Sequence, residues 1–455
     1  MRCIEKIRLT VPAGHLIVAQ TVCARARIPP GKPWCVDVVI DREAVMQTPE
    51  PSARPSRLPS LTGMRFIAAF AVVVSHLAGQ IFGSIHPGLP YLITTLGPVG
   101  VAFFFVLSGF ILTWVADPND TAGLFWRRRL VKILPNHLTT FTATVALMAA
   151  AGVPIMVINT IPPLLLIEPW IPDFDALGGL TGINVPSWTL GCELVFYLAF
   201  PWLIRLIGRI RPPRLWPWAV GVAIAIIAVP FAAQALPARP ATSWDPAIAE
   251  LQSWFAYSLP FTRMLEFVLG ILMARIVISG KWIRLGMTPA FLLTIACVVV
   301  QSHLPGVFRL CAGPTASALA LLIAAAASAD VRTARTPFSG RTMVWLGEIS
   351  FALYLVHYLV IQYGPIDGVH ATGGTAGGAA STRLVHILLT VAISLVLAAA
   401  LYTLVERPAV RRFSRPRGRR AGPTPVREDG RPRTRRRDEL SLPHPGAVTH
   451  DETQP

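Results

Sequence analysis

The sequence predicts an all-α protein, a polytopic transmembrane helical bundle of about ten spans with both termini cytoplasmic. Three observations predict it. The chain of 455 residues is 53% hydrophobic and only 14% charged, with a mean hydropathy of +0.54; a water-facing domain carries roughly a quarter charged residues. Apolar runs of about 20 residues, the length that crosses a bilayer core at about 1.5 Å per residue, recur along it. Basic residues collect in alternate connections, as expected where cytoplasmic loops hold Lys and Arg.

The spans fall approximately at 66–86, 96–115, 133–152, 188–208, 216–235, 259–278, 286–303, 310–328, 343–363 and 384–405. The stretch 155–169, broken by Pro162 and Pro163, is too short to span and reads as a re-entrant or interfacial element. Arg54, Arg57 and Arg65 precede the first span; Arg127, Arg128, Arg129 and Lys132 follow the second. Further basic groups follow the fourth, sixth and eighth spans, and the tail is the most basic segment. The intervening connections 87–95, 153–187, 304–308 and 364–382 are nearly free of Lys and Arg.

Three parts follow: a polar extension over 1–57, a membrane domain over 58–413, and a basic tail over 414–455 too polar to bury a core. Met46 opens a polar leader into the first span, so 1–45 reads as a misassigned start or a dispensable extension. The net charge of +17 is explained by loops and tail facing anionic lipid, and no nucleic-acid-binding motif accompanies it. The six cysteines form no CxxC pair, and no metal site is expected.

Ionisable groups inside spans are costly and therefore candidates for function. Arg65 and His76, eleven positions apart, return to nearly one helix face about 16 Å apart along the axis. Arg65 sits at the cytoplasmic mouth and His76 near mid-membrane, where a histidine suits general-base work or, with no chemistry, a bond between helices. Glu193, in PSWTLGCELVFYLAFP, must be protonated, paired or facing a wet cavity. Trp188 and Tyr197 there also fit an aromatic belt. Ser350, Tyr354 and His357 share one face of the ninth span, either as helix glue or as a site lining. In the second span Gly97, Gly100 and Gly109 permit close helix contact, and Ser108 is the only hydroxyl at mid-depth. Arg128, Arg129 and Lys132 in FWRRRLVKILP suit a phosphorylated ligand as well as they suit positive-inside bias.

In order, LPSLTGMRFIAAFAVVVSHL, GPVGVAFFFVLSGFIL, FWRRRLVKILP, PSWTLGCELVFYLAFP, LGEISFALYLVHYLV and LVERPAVRRF resemble the acyltransferase type 3 family over about residues 58–413. The resemblance implies a multi-pass enzyme of the inner (plasma) membrane. It would move an acyl group, commonly acetyl, from acyl-CoA (acetyl-CoA) to a hydroxyl of a carbohydrate, glycolipid or macrolide-like acceptor. By matching positions, His76 is the catalytic histidine, Arg65 its motif partner and Glu193 the acidic residue after the Trp-Ser-Leu signature. Arg129 and Lys132 match the basic pair, with Arg128 beside them holding the donor, and His357 matches the late histidine. Trp188, Tyr354 and Ser108 are expected to line the site. Thr189 replaces a usual Ser, and Lys132 a usual Arg, losing bidentate geometry. Glu193 is expected to orient or charge His76. The competing class is a proton-coupled transporter or polysaccharide exporter, although no internal repeat relates the two halves.

Overall fold

The computed structural model describes residues 55, 57–82, 89–173, 183–242, 245, 247–311, 313–365 and 380–414. The extension up to 54, the Gly-rich stretch 366–379 and the tail from 415 lie outside the described residues. Among the described residues ten helices of at least 16 residues occur, one on each predicted span: α1 (Pro59–Phe82), α2 (Leu89–Trp114), α3 (Ala122–Ala150), α5 (Trp188–Gly208), α6 (Leu215–Ala233), α7 (Pro260–Ile278), α8 (Met287–Ser302), α9 (Gly313–Val331), α10 (Arg341–Tyr363) and α11 (Ala380–Leu401). A nine-residue helix, α4 (Val157–Leu165), occupies the stretch predicted not to span. No strand occurs among the described residues.

Seven of the helical segments are long and apolar enough to cross a membrane. Three predicted spans fall outside that set for visible reasons. The run of α3 past its basic cluster holds Asn136, His137 and several threonines; α7 carries Arg263, Glu266 and Arg275; α8 has only 16 residues.

Local chemistry sets the helix starts. Pro59 supplies a fixed φ at the head of α1, and Asp330 at the end of α9 receives Ser60 N at 3.0 Å and Ser60 Oγ at 2.5 Å. A carboxylate there complements the exposed N–H groups of a helix start. Thr121 caps α3 by accepting from Leu124 N at 3.3 Å.

Helices α2, α7, α9 and α10 are buried on nearly every side, the behaviour of helices apolar all round. By contrast, α6, α8 and α11 present Ile224, Phe231, Leu292, Val300, Leu388 and Val396 outward, a surface suited to lipid. Glycine brings the central backbones together, as expected for Gly97, Gly100 and Gly109. A methyl group at Gly109 would lie 1.9 Å from the Phe267 carbonyl oxygen, and one at Gly270 would lie 1.9 Å from that of Val106. Helices α2 and α7 therefore meet main chain to main chain. At Gly347 of α10 the corresponding distance, to Thr62 O of α1, is 1.8 Å.

Candidate active site

Five helices surround one internal cavity of ≈ 890 Å³, its open mouth included. Helix α1 contributes Arg65; α2 contributes Phe104, Phe105 and Ser108; α3 contributes Arg129 and Lys132; α5 contributes Thr189, Glu193 and Tyr197; α10 contributes Phe351 and Tyr354. Three cations and one carboxylate thus face a space otherwise walled by aromatic and aliphatic groups. Glu193 Oε2 accepts from the Tyr197 hydroxyl at 2.9 Å, a pairing that the i, i+4 spacing permits. Ser108 hydrogen-bonds the same hydroxyl. The Arg129 guanidinium lies 5.5 Å from the Phe125 ring, and its Nε has no partner. Lys132 lies in the field of Arg65 and Arg129 on one side and of Glu406 and Glu193 on the other. Glu406, in the turn that follows α11, accepts from Asn136 Nδ2 at 2.7 Å.

His76 is not among the residues lining the cavity. Its ring packs inward, stacked on His357 with centroids 5.2 Å apart and edge-on to Tyr358 at 5.3 Å. Its Nδ1 lies 2.9 Å from His357 Nε2, and His357 Nδ1 lies 3.2 Å from Leu353 O. A carbonyl oxygen only accepts, so His357 Nδ1 carries the hydrogen and, in the neutral ring, Nε2 is bare. Then His76 Nδ1 must be the donor, which leaves the lone pair of His76 Nε2 free. One ring separates this dyad from the cavity: Tyr354 lines it, 6.1 Å from His357 and 5.9 Å from Phe104 between ring centroids. Thr189 Oγ1 donates to Pro186 O at 2.9 Å, so the Tyr354 hydroxyl, 3.0 Å away, donates to Thr189.

The structure thus rearranges part of the expected constellation. Arg65, Arg129, Lys132, Glu193, Ser108 and Tyr354 share the cavity. His76 Nδ1 is hydrogen-bonded to His357 rather than to Glu193, whose Oε2 accepts from Tyr197. Arg128 is turned away, ion-paired with Asp120 just before the start of α3, so it does not join Arg129 and Lys132. Trp188 packs between Phe105 and Tyr257, with centroids 6.3 and 4.9 Å away, outside the lining. Sequence reasoning gave Tyr197 only an aromatic-belt role, although its spacing from Glu193 was the available signal for their pairing. It also passed over Tyr358, which touches His76 directly.

Fold and site together define a multi-pass membrane protein with a cation-lined internal cavity beside a buried imidazole pair. A family model described as an acyltransferase domain matches residues 58–405, and the chain belongs to that family, as the ordered motifs implied. Acyltransferase MdmB of Streptomyces mycarofaciens is 40% identical over 393 residues, covering 84% of this chain and 99% of that protein. The exopolysaccharide production protein ExoZ of Rhizobium meliloti is 28% identical across 70% of this chain and 91% of its own length. The peptidoglycan O-acetyltransferase OatA of Listeria monocytogenes is 24% identical across 67% of this chain, which spans 49% of that longer protein. No solved structure matches the chain.

Proposed function

We propose that this protein transfers an acyl group, acetyl in the simplest case, from acyl-CoA to a hydroxyl of a carbohydrate, glycolipid or macrolide-like acceptor at the inner membrane. The observation that carries the reading is the His76–His357 bond at 2.9 Å, with the outer nitrogen of His357 committed to a carbonyl. That arrangement holds His76 in the tautomer with a free Nε2 lone pair, which general-base catalysis requires. Family membership supports acyl transfer, and a relative named as an O-acetyltransferase supports oxygen as the acceptor atom. None of the three relatives is named for transport.

In this mechanism His76 Nε2 takes the proton of the acceptor hydroxyl as its oxygen attacks the thioester carbonyl carbon. The tetrahedral oxyanion faces the cation-bearing cavity. As the C–S bond breaks, the proton passes from the His76 imidazolium to the departing coenzyme A thiolate, leaving ester, thiol and neutral histidine. Arg129, Lys132 and Arg65 hold the coenzyme's phosphates, Arg129 with a guanidinium that has an unused donor. Glu193 and Tyr197 position these cations. Ten spans with both termini in the cytoplasm put that end of the cavity on the side where acyl-CoA is made, and the alternation of basic loops supports this orientation.

The test is turnover of labelled acetyl-CoA by the purified protein and its His76→Ala variant. Label should pass to a hydroxyl-bearing acceptor with the native protein only. Transfer retained by the folded variant removes His76 from the base role.

A further inference from the structure

The segments that meet at the head of α5 hold two buried polar atoms for which the protein supplies no partner. Asn184, 4% exposed, donates Nδ2 to Leu355 O at 3.2 Å and leaves Oδ1 unbonded. Glu168, 1% exposed, accepts from Ser187 Oγ at 2.8 Å through Oε1 and leaves Oε2 unbonded. Ser187 links them, since it bonds Glu168 through Oγ and donates its backbone N to Asn184 O at 2.8 Å. A buried polar atom that nothing bonds is costly to fold around. Two such atoms, both joined to Ser187, mark a place where something outside the chain supplies the hydrogen bonds.

Their position relative to the dyad is informative. Leu355, whose carbonyl Asn184 holds, lies between Leu353, whose carbonyl orients His357, and His357 itself. Leu166 turns inward in the left-handed conformation, φ 57°, two residues before Glu168. Its side chain packs with Tyr354, Leu355 and Val72, the last one turn before His76. Arg65 is three turns back along α1 from His76, and Glu193 and Tyr197 lie further along α5 than Ser187. The unpartnered atoms therefore flank the dyad at the end away from the cations.

We propose that Asn184 Oδ1 and Glu168 Oε2 form the acceptor subsite, holding a polyhydroxylated ring by two oxygen functions while a third hydroxyl is presented to His76. This rests on the reading of the protein as a hydroxyl acyltransferase. An amide oxygen only accepts, so it calls for a ligand that donates, as a hydroxyl does; the thioester group itself has no donor. Burial pushes the Glu168 carboxyl up to about 8, so near neutral pH it keeps its proton and donates to a second ligand oxygen. One donor and one acceptor, both anchored on Ser187, complement a ligand with several hydroxyls and leave a monohydric alcohol half bound.

The experiment uses the full chain in detergent with methyl β-D-glucopyranoside, its monodeoxy derivatives and cyclohexanol. Binding is read by calorimetry without acetyl-CoA, and transfer is read separately with labelled acetyl-CoA. Glu168→Leu and Asn184→Ala should each weaken glycoside binding about tenfold, with the KM for acetyl-CoA within about twofold. Glu168→Gln, which restores a donor, should recover most of the loss seen with Leu. One monodeoxy glycoside should bind the native protein about tenfold less tightly, yet lose nothing further in Asn184→Ala. Equal glycoside affinity in native protein and both variants means that the two atoms hold water only, and overturns the proposal. So does native protein that binds cyclohexanol as well as the glycoside, or binds neither. Glycoside binding with no consumption of acetyl-CoA would instead sink the acyl-transfer reading.

Discussion

Replacing His357 separates orientation from chemistry. His357→Phe keeps a ring of similar area against His76 and Tyr358, but removes the nitrogen that accepts from His76 Nδ1 at 2.9 Å. The lost bond is between neutral groups, which sets its net contribution at about 1–1.5 kcal/mol, or about tenfold in rate. Loss of the base itself, as in His76→Ala, removes about 100- to 10,000-fold. His357→Gln carries an amide oxygen at nearly the reach of Nε2 and restores the acceptor. The expected order of kcat is therefore native, then His357→Gln, then His357→Phe about tenfold down, then His76→Ala far below. Single-turnover transfer from labelled acetyl-CoA, with donor saturating and folded protein verified by size-exclusion chromatography, measures it. A His357→Phe protein as fast as native, or a Gln variant no better than Phe, refutes the orienting role. A drop in both as deep as that of His76→Ala makes His357 the base.

Three other outcomes are expected. Arg129→Ala should raise the KM for acetyl-CoA about tenfold or more in initial-rate assays. Arg128→Ala, which breaks only a pair at the protein surface with Asp120, should change it less than about twofold. Gly270→Ala sets a methyl group 1.9 Å from Val106 O and should cost about 3 kcal/mol or prevent folding, whereas Gly221→Ala meets nothing within 4 Å and should be neutral or stabilising by thermal unfolding in detergent. Burial lifts the Glu168 carboxyl to about 8, so the folded chain holds a proton that the unfolded chain, titrating near about 4.3, releases. The associated stability is complete below the unfolded value and is lost as pH rises toward about 8, with a slope of at most about 1.4 kcal/mol per pH unit. Melting temperature should fall between about pH 4.3 and pH 8 through this group, and Glu168→Gln should flatten that part of the curve; an unchanged slope contradicts the assignment.

The spans were legible because bilayer thickness imposes one length on apolar runs, and each predicted run lies on a helix. What composition blurred was α3, α7 and α8, where Asn136, His137, Arg263 and Glu266 or sheer shortness dilute the apolar signal. The separation of Arg65 from His76 along α1 was also readable, since it depends only on helical geometry. Pairings were not. His76 and His357 are 281 residues apart, and nothing local couples them. The sequence offered Glu193 as the natural carboxylate for an imidazole, but Tyr197 one turn away reaches it first. Arg128 looked equivalent to Arg129 until the helix start placed Asp120 within reach of one and the cavity within reach of the other. Glu168 and Asn184 lie in short turns with no periodicity to expose them.

The glycine contacts have a consequence for how the two ends of the cavity are held. Gly347 against the Thr62 backbone, Gly100 against the Ala68 backbone and Val72, and Gly97 against the Ser75 side chain seat α1 closely between α2 and α10. A Cβ at Gly347 or Gly100 would meet a carbonyl oxygen of α1, so any larger residue there would push α1 away from its neighbours. Helix α3 has no such lock, for its single glycine, Gly123, meets nothing within 4 Å. Arg129 and Lys132 therefore ride on the looser wall. Under the proposed reaction, the cations that would hold the donor thus sit on a helix without glycine contacts, while the imidazoles sit on two helices that meet through them.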